Sequence, residues 1–296
     1  MSLPSPTPSR CVALLNDPRI QETLRYLEQH MEDAHSGSTL AQRYGLSMFY
    51  FNRLFREQTG EALGAYVRRL RLDVAALRLH NTAIPAQELA MELGWCSAAV
   101  FTRAFKARFG LPPNTWRQKM RLQWLAPPHE MLPNISIGHQ PVQQMLVHRY
   151  QGEYAKAPER WSDFLQRLPP SLRHLGGGHY AGLAYDDPVI TPAYAIRHDC
   201  CVCLPSDWRE RWPQVMALLE PSSSFTLIHT RPGRYARLAY EGPYSDLLRD
   251  GYGLFNAWSR ACRYTLTCDP MIEFYEDDHP LTSPQRTRVT LMNPIL

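Results

Sequence analysis

The segment FTRAFKARFG (101–110) repeats, at a spacing of 50, the pattern of FNRLFREQTG (51–60). The register runs without slip from Ser47 with Ser97, through Arg53 with Arg103 and Phe55 with Phe105, to Gly60 with Gly110. A chain carrying one helical pattern twice must bury the same apolar face twice, so each copy needs a core of its own. Phe51, Leu54 and Phe55 fall on one face by i, i+3, i+4 spacing, and Phe101, Ala104, Phe105 and Phe109 do so in the second copy. The opposite faces carry Phe49, Asn52, Arg53 and Arg56, then Ala99, Thr102, Arg103 and Lys106. A helix that packs on one side and presents donors on the other has what is needed to lie in a major groove.

Each copy is preceded by a shorter helical pattern and a tight turn. Ser38 is placed to cap the first short helix, which ends near Gly45, and Ser47 and Ser97 to cap the longer ones. The second turn is one residue longer, Ala41 to Ser47 being six positions and Ala90 to Ser97 seven. Upstream, Asp17 and Pro18 form a helix start, followed by Ile20, Leu24, Leu27 and Met31 at helical spacing. Between the copies, ALGAYVRRLRLDVAALRLH (62–80) predicts one continuous helix, about 27 Å long at 1.5 Å per residue. That is close to one turn of B-DNA, about 34 Å.

Charge is divided along the chain. Residues 1–122 hold 16 Lys and Arg against 10 Asp and Glu, and residues 123–296 hold 16 against 18. The basic first part fits either a polyanion partner or a solvated basic surface. No stretch approaches the ~18 apolar residues of a membrane span, and MSLPSPTPSR lacks a secretory core. Seven cysteines without framework spacing fit reduced thiols in a cytoplasm.

The segments LAQRYGLS, RLFREQTG, YVRRLRL, ELAMELGWCS, FTRAFKARFG and PPNTWR together resemble the DNA-binding domain of AraC-type transcriptional regulators, over residues 18–122. The resemblance implies two helix-turn-helix units in one chain. It places base-reading positions on Phe49, Asn52 and Arg53 in the first unit, and on Ala98, Ala99, Thr102 and Arg103 in the second. Asn suits adenine, Arg suits guanine and Phe a thymine methyl. Ala98 and Ala99 can offer only methyl contacts, so the first unit is expected to carry most hydrogen-bonded readout. Arg56 and Lys106 read as phosphate contacts, and Arg68, Arg69 and Arg71 as solvated charges and intradomain pairs. Phe49 fits either the groove or a core.

A second duplication follows the proline-broken segment LAPPHEMLPN (125–134). LVHRYQGEYAKAPERWSDFL (146–165) and RLAYEGPYSDLLRDGYGLF (237–255) match at an offset of 90, as do Tyr185 and Tyr275; Thr191 and Thr282 match at 91. Each half reads strand, helix, strand, strand. Helices are predicted near 159–168 and 245–262, and strands near 143–150, 180–185, 195–203, 234–241, 271–276 and 286–292. Short leading strands are predicted near 135–138 and 225–229. With GEY, YDDPVITP, RHD, GRYARLAYEGPY and MIEFYEDD, this part resembles the GyrI-like ligand-binding domain.

The expected fold is thus multidomain. A disordered tail (1–17) is expected to precede an all-α DNA-binding domain (18–122) with two helix-turn-helix units joined by a long helix. A linker (123–134) leads to an α+β domain (135–296) of two βαββ repeats around a cleft. The GyrI-like resemblance places a glutamate at the cleft, here Glu273. Alternation puts Met271, Glu273 and Tyr275 on one strand face, toward the cleft, and Ile272 and Phe274 on the other, toward the helices. The residue 90 positions back is Leu183, so the acid occurs once. Tyr154, Trp161, Tyr185, Tyr244 and Trp258 are further wall candidates. A buried carboxylate among aromatics suits a lipophilic cation.

The partners implied are double-stranded DNA, a small-molecule effector and, for an activator, RNA polymerase; no membrane, cofactor or metal is expected. DCCVC (199–203) lacks a second cysteine pair at zinc spacing and reads as buried thiols. LGGGHY (175–180) lacks the Lys and Ser/Thr of a phosphate loop. The competing readings of the second domain are a small-molecule hydrolase using Glu273 with a tyrosine, or a protein-interaction module without ligand.

Overall fold

A computed structural model describes residues 15, 17–33, 35–123, 135–173, 179–220, 223–261, 264, 266, 267 and 269–295. Residues 1–14 of the expected tail and the segment 124–134 lie outside the described residues; Leu15 is buried and Asp17 caps a helix, so the tail is shorter than expected, and Gln123, expected in the linker, ends a helix.

Seven helices come first: α1 (Pro18–Gln29), α2 (Gly37–Arg43), α3 (Met48–Thr59), α4 (Leu63–Asn81), α5 (Ala86–Glu92), α6 (Ala98–Phe109) and α7 (Pro113–Gln123). Asp17 caps α1, accepting from the Arg19 backbone N–H at 3.0 Å. Ser47 and Ser97 cap α3 and α6, accepting from the N–H groups of Tyr50 (3.2 Å) and Val100 (3.3 Å). Gly60 and Gly110 end those helices at φ 76° and 78°, the left-handed conformation that glycine adopts without a steric penalty. For α2 the cap position belongs to Ser36 rather than Ser38, which lies one residue inside the helix.

Helix α4 serves two cores in turn. Its Leu63, Tyr66 and Leu70 pack with Phe51 and Phe55; its Leu72, Ala75, Ala76 and Leu79 pack with Phe101 and Phe105. Each of these four phenylalanines is fully buried, contributing about 1.5–3 kcal/mol of transfer free energy. Midway along α4, buried Arg69 pairs with Glu61 (2.8 Å) and Asp73 (3.2 Å), and Asp73 also pairs with Arg108 of α6. Burial pushes the Asp73 carboxyl up to about 6 even with Arg108 and Arg69 facing it.

The second part contains β1 (Ser136–Gln140), β2 (Gln144–Gln151), α8 (Ala157–Arg167), β3 (Tyr180–Ala184), β4 (Arg197–Leu204), α9 (Trp208–Arg211), α10 (Val215–Leu218), β5 (Phe225–His229), β6 (Gly233–Gly242), α11 (Gly251–Ala261), β7 (Met271–Tyr275) and β8 (Thr287–Pro294). The strands form one antiparallel sheet in the order β1-β6-β8-β7-β3-β4-β2-β5. Strands β3 and β7 meet at its centre. The leading strands cross over: β1 pairs with β6, and β5 with β2. The predicted 245–262 helix is in fact a 3-10 turn (Tyr244–Asp246) and then α11. Among the described residues no helix is long and apolar enough to cross a membrane.

The helices lie on one face of the sheet. Trp161 and Phe164 of α8 and Phe255 of α11 pack there with Met271, Tyr275 and Cys200. Ile272 and Phe274 belong to the other face, with Cys201, Cys203 and Leu183, which corrects the expectation that they meet the helices. Alternation separated the two sets, but the sides were exchanged. That other face meets the helical domain. Arg149 of β2 bonds Glu28 of α1 at 2.7 Å, Arg197 of β4 lies 3.2 Å from Glu28, and the Tyr194 hydroxyl donates to Glu61 at 3.1 Å. Ile190, from the β3–β4 connection, packs on the core of the second helical unit.

Candidate nucleic-acid interface and ligand cleft

The two capped helices α3 and α6 turn their polar sides outward. Asn52, Arg53, Arg56, Ala99, Arg103 and Lys106 are exposed, while Ala98 and Thr102 are half-buried. Phe49 is 80% exposed, which removes the core reading. Among the described residues Arg53 pairs with Glu57, at 3.7 Å across the helix surface, and lies over the Tyr50 ring. Such an exposed pair is worth little, so the guanidinium is available to a partner. An open groove of about 1470 Å³ runs from Phe49, Asn52, Arg53 and Arg56 past Arg68 of α4 to Trp95 and Cys96.

Not every arginine faces outward. Arg69 is sealed in the ion cluster of α4. Arg71 donates to the carbonyls of Met31 (2.7 Å), Asp33 (2.7 Å) and Gly94 (3.0 Å), tying the two helical units together. Arg68 is exposed.

On the helix-covered face of the sheet, Glu273 is fully buried. Tyr154 and Tyr252 donate their hydroxyls to its Oε1, the latter at 2.6 Å, and Tyr275 donates to Oε2 at 2.5 Å. His198 Nε2 lies 3.5 Å from Oε2. Burial raises the Glu273 carboxyl, but hydrogen bonding and attraction from His198, with the bonds from Tyr154 and Tyr252, outweigh it and hold it at about 2. The phenols move the other way: burial and the adjacent carboxylate push Tyr154, Tyr252 and Tyr275 well above the usual range. The Glu273 carboxylate is therefore ringed by neutral phenol donors.

The helix-turn-helix domain family matches residues 40–119, and the GyrI-like small molecule binding domain family matches residues 129–296. Regulatory protein SoxS of Escherichia coli K12 is 33% identical over 101 residues, covering 34% of this chain and 94% of SoxS. Transcriptional regulator Rob of Salmonella typhimurium is 36% identical over 107 residues, which is 36% of each chain. The right origin-binding protein of E. coli K12 is 36% identical over 99 residues, covering 33% of this chain and 34% of that protein. The chain belongs to the AraC-type regulators with a GyrI-like domain. It is a DNA-binding transcriptional regulator with a small-molecule binding domain.

Within the GyrI-like domain, the sequence-predicted wall residues separate. Tyr154 and Tyr275 bond Glu273. Trp161 packs edge-on against Tyr275, ring centroids 5.4 Å apart, and Tyr244 lies 6.3 Å from the same ring. Met271 shares this face. Trp258 instead packs with Phe255 and Tyr264. Tyr185 lies across the sheet, where it bonds Asp199 at 2.9 Å beneath the Arg149 guanidinium.

The Tyr185 error is a register error. Gly182 pairs with Glu273 on one side and Cys200 on the other; Glu273 pairs with Gly182 and Leu291. The position facing Glu273 in the first half is Gly182, offset by 91, rather than Leu183, and Tyr275 answers to Ala184 rather than Tyr185. A one-residue slip moves every side chain to the other face. Three members of the site were missed: His198, Tyr252 and Gly182. His198 alternates with Cys200 on β4, so strand parity placed it on the Glu273 side.

The cysteines of DCCVC are buried free thiols, Cys200 on one face and Cys201 and Cys203 on the other. Burial pushes Cys203 up to about 12, which suits an unreactive thiol. Among the described residues no group of His, Cys, Asp and Glu could hold a metal ion.

Proposed function

We propose that α3 and α6 enter successive major grooves on one face of double-stranded DNA, with α4 fixing their separation. Arg53 and Asn52 read bases in the first groove with Phe49 against a thymine methyl. In the second groove Thr102 and Arg103 read bases, with Ala98 and Ala99 limited to methyl contacts. Arg56 and Lys106 hold phosphates. The observation carrying this reading is that both helices start on a capping serine, end on a left-handed glycine and keep exposed polar faces, at the two ends of one helix. The operator is then non-palindromic and about 20 base pairs long, since one chain supplies both heads. A gel shift with Arg53→Ala tests it: sequence preference surviving unchanged would remove the base-reading assignment.

The two four-strand sets are read as a duplicated βαββ unit with Glu273 at their junction. The effector is a lipophilic cation that displaces the Tyr154 and Tyr252 hydroxyls and presents its charge to Glu273, with Tyr275, Trp161, Tyr244 and Met271 behind. Binding rather than turnover is supported by the low carboxyl pKa, far from the near-neutral value that makes an effective general base. Thermal-shift measurements with a panel of aromatic cations, on wild type and Glu273→Gln, test this; no stabilisation across the panel would remove the cation assignment. Contact with RNA polymerase would accompany activation.

A further inference from the structure

A second cavity lies on the opposite side of the sheet from Glu273. Its volume is about 620 Å³, and it opens between α1 and α4 of the helical domain and the uncovered face of the sheet. Met31, Val74 and Leu77 line it from the helical side, and Leu183, Ile228 and Ile272 from the sheet. A cleft of a few hundred Å³ at a domain junction, apolar with a few convergent polar groups, has the usual form of a small-molecule site.

The polar groups are unequally satisfied. Arg149 is paired with Asp199 and Glu28, and Arg197 with Asp186 (2.7 Å) and Glu28 (3.2 Å). Glu28 is therefore neutralised by two arginines. At the other end, Arg231 lies 3.7 Å from Asp269. Arg25 differs. It lines the cavity and, among the described residues, pairs with Asp199 at 3.6 Å, beyond hydrogen-bond distance. A guanidinium presents donors in a fixed fork that fits an oxyanion, and a buried donor left unmade is costly.

We propose that this cavity is a second effector site, for an amphipathic organic anion. Its oxyanion would bond the Arg25 guanidinium where it lines the cavity, and its apolar body would lie between Leu77 and Ile228. The class is opposite in charge to the one assigned to the Glu273 cleft, and the two sites are separated by the sheet. Because Arg25 belongs to α1 and Ile228 to β5, an occupant touches both domains and stabilises the docked arrangement by mass action.

The test uses the full chain and 8-anilinonaphthalene-1-sulfonate as the probe, followed by its fluorescence. Wild type should bind one molecule per chain, Arg25→Gln should bind about tenfold more weakly or worse, and Glu273→Gln should bind as wild type does. Unchanged affinity in Arg25→Gln, or loss of binding in Glu273→Gln, would overturn the assignment. Ile228→Trp, which fills the cavity, decides the matter should Arg25→Gln fail to fold; a folded Ile228→Trp that binds the probe normally rules the site out. The uncharged analogue N-phenyl-1-naphthylamine should bind about tenfold more weakly than the sulfonate. Equal affinity would overturn the anion class.

Discussion

Gly182 stands opposite Glu273 across the central strand pair, so close that a β-carbon on it would lie 2.5 Å from Glu273 Oε2 and 2.9 Å from His198 Nε2. The carboxylate occupies the space a side chain would take. Gly182→Ala should therefore destabilise the domain by about 1–3 kcal/mol through overpacking. Urea unfolding measures it. In the double variant with Glu273→Ala the cost should be largely relieved, because the crowding partner is gone; additive costs would contradict the close approach.

The Glu273 cluster also sets a pH dependence. The carboxyl sits at about 2 in the folded protein against an ordinary 4.5, so its folded pKa is depressed. Its contribution is present above about pH 4.5 and is lost as pH falls through about 2, on the order of a few kcal/mol in all. The stability difference between wild type and Glu273→Gln, followed by denaturant melts from pH 6 downward, should shift against wild type across that window. A difference constant with pH would rule out the depressed carboxyl.

On the DNA side, Arg53→Ala and Lys106→Ala should fail differently. The first should cost about 1–3 kcal/mol on the preferred sequence and flatten discrimination at one base pair. The second should weaken all sequences alike and lower the salt slope by about one. Fluorescence anisotropy with specific and scrambled duplexes at several salt concentrations separates the two patterns.

At the domain junction, Arg149 is buried between Asp199 and Glu28. Arg149→Met leaves buried Asp199 with only Arg25, at 3.6 Å, and should cost about 3–5 kcal/mol. Glu28→Gln should cost less, since Arg149 keeps Asp199. Thermal melts of both variants check the order, and the reverse ranking would mean that Glu28 rather than Arg149 organises the junction.

Much of this molecule was legible because its helical repeat is punctuated by residues with local physical roles. Ser47, Ser97, Gly60 and Gly110 mark helix ends by capping and by left-handed backbone, and both effects act within a few residues of sequence. The surroundings of Glu273 were legible only in part. Tyr154 and Tyr275 were named with it and bond it, but strand parity is unforgiving: an indel placed after Tyr185 instead of before β3 sent Leu183 and Tyr185 to the face away from Glu273. Tyr252 and His198 reach Glu273 from elements 21 and 75 residues away, distances at which pattern carries no geometry. The junction of Arg25, Glu28, Arg149 and Asp199 brings together residues as far as 121 positions apart in one hydrogen bond, and no local pattern marks such a pairing.

The exchange of leading strands gives the second domain an architecture of mutual dependence. With β1 hydrogen-bonded to β6 and β5 to β2, each half lends its outermost ribbon to its sibling. Severing the backbone between β4 and β5 would produce two complementary fragments, neither able to finish its own border, that regain a closed set of backbone pairings only when mixed.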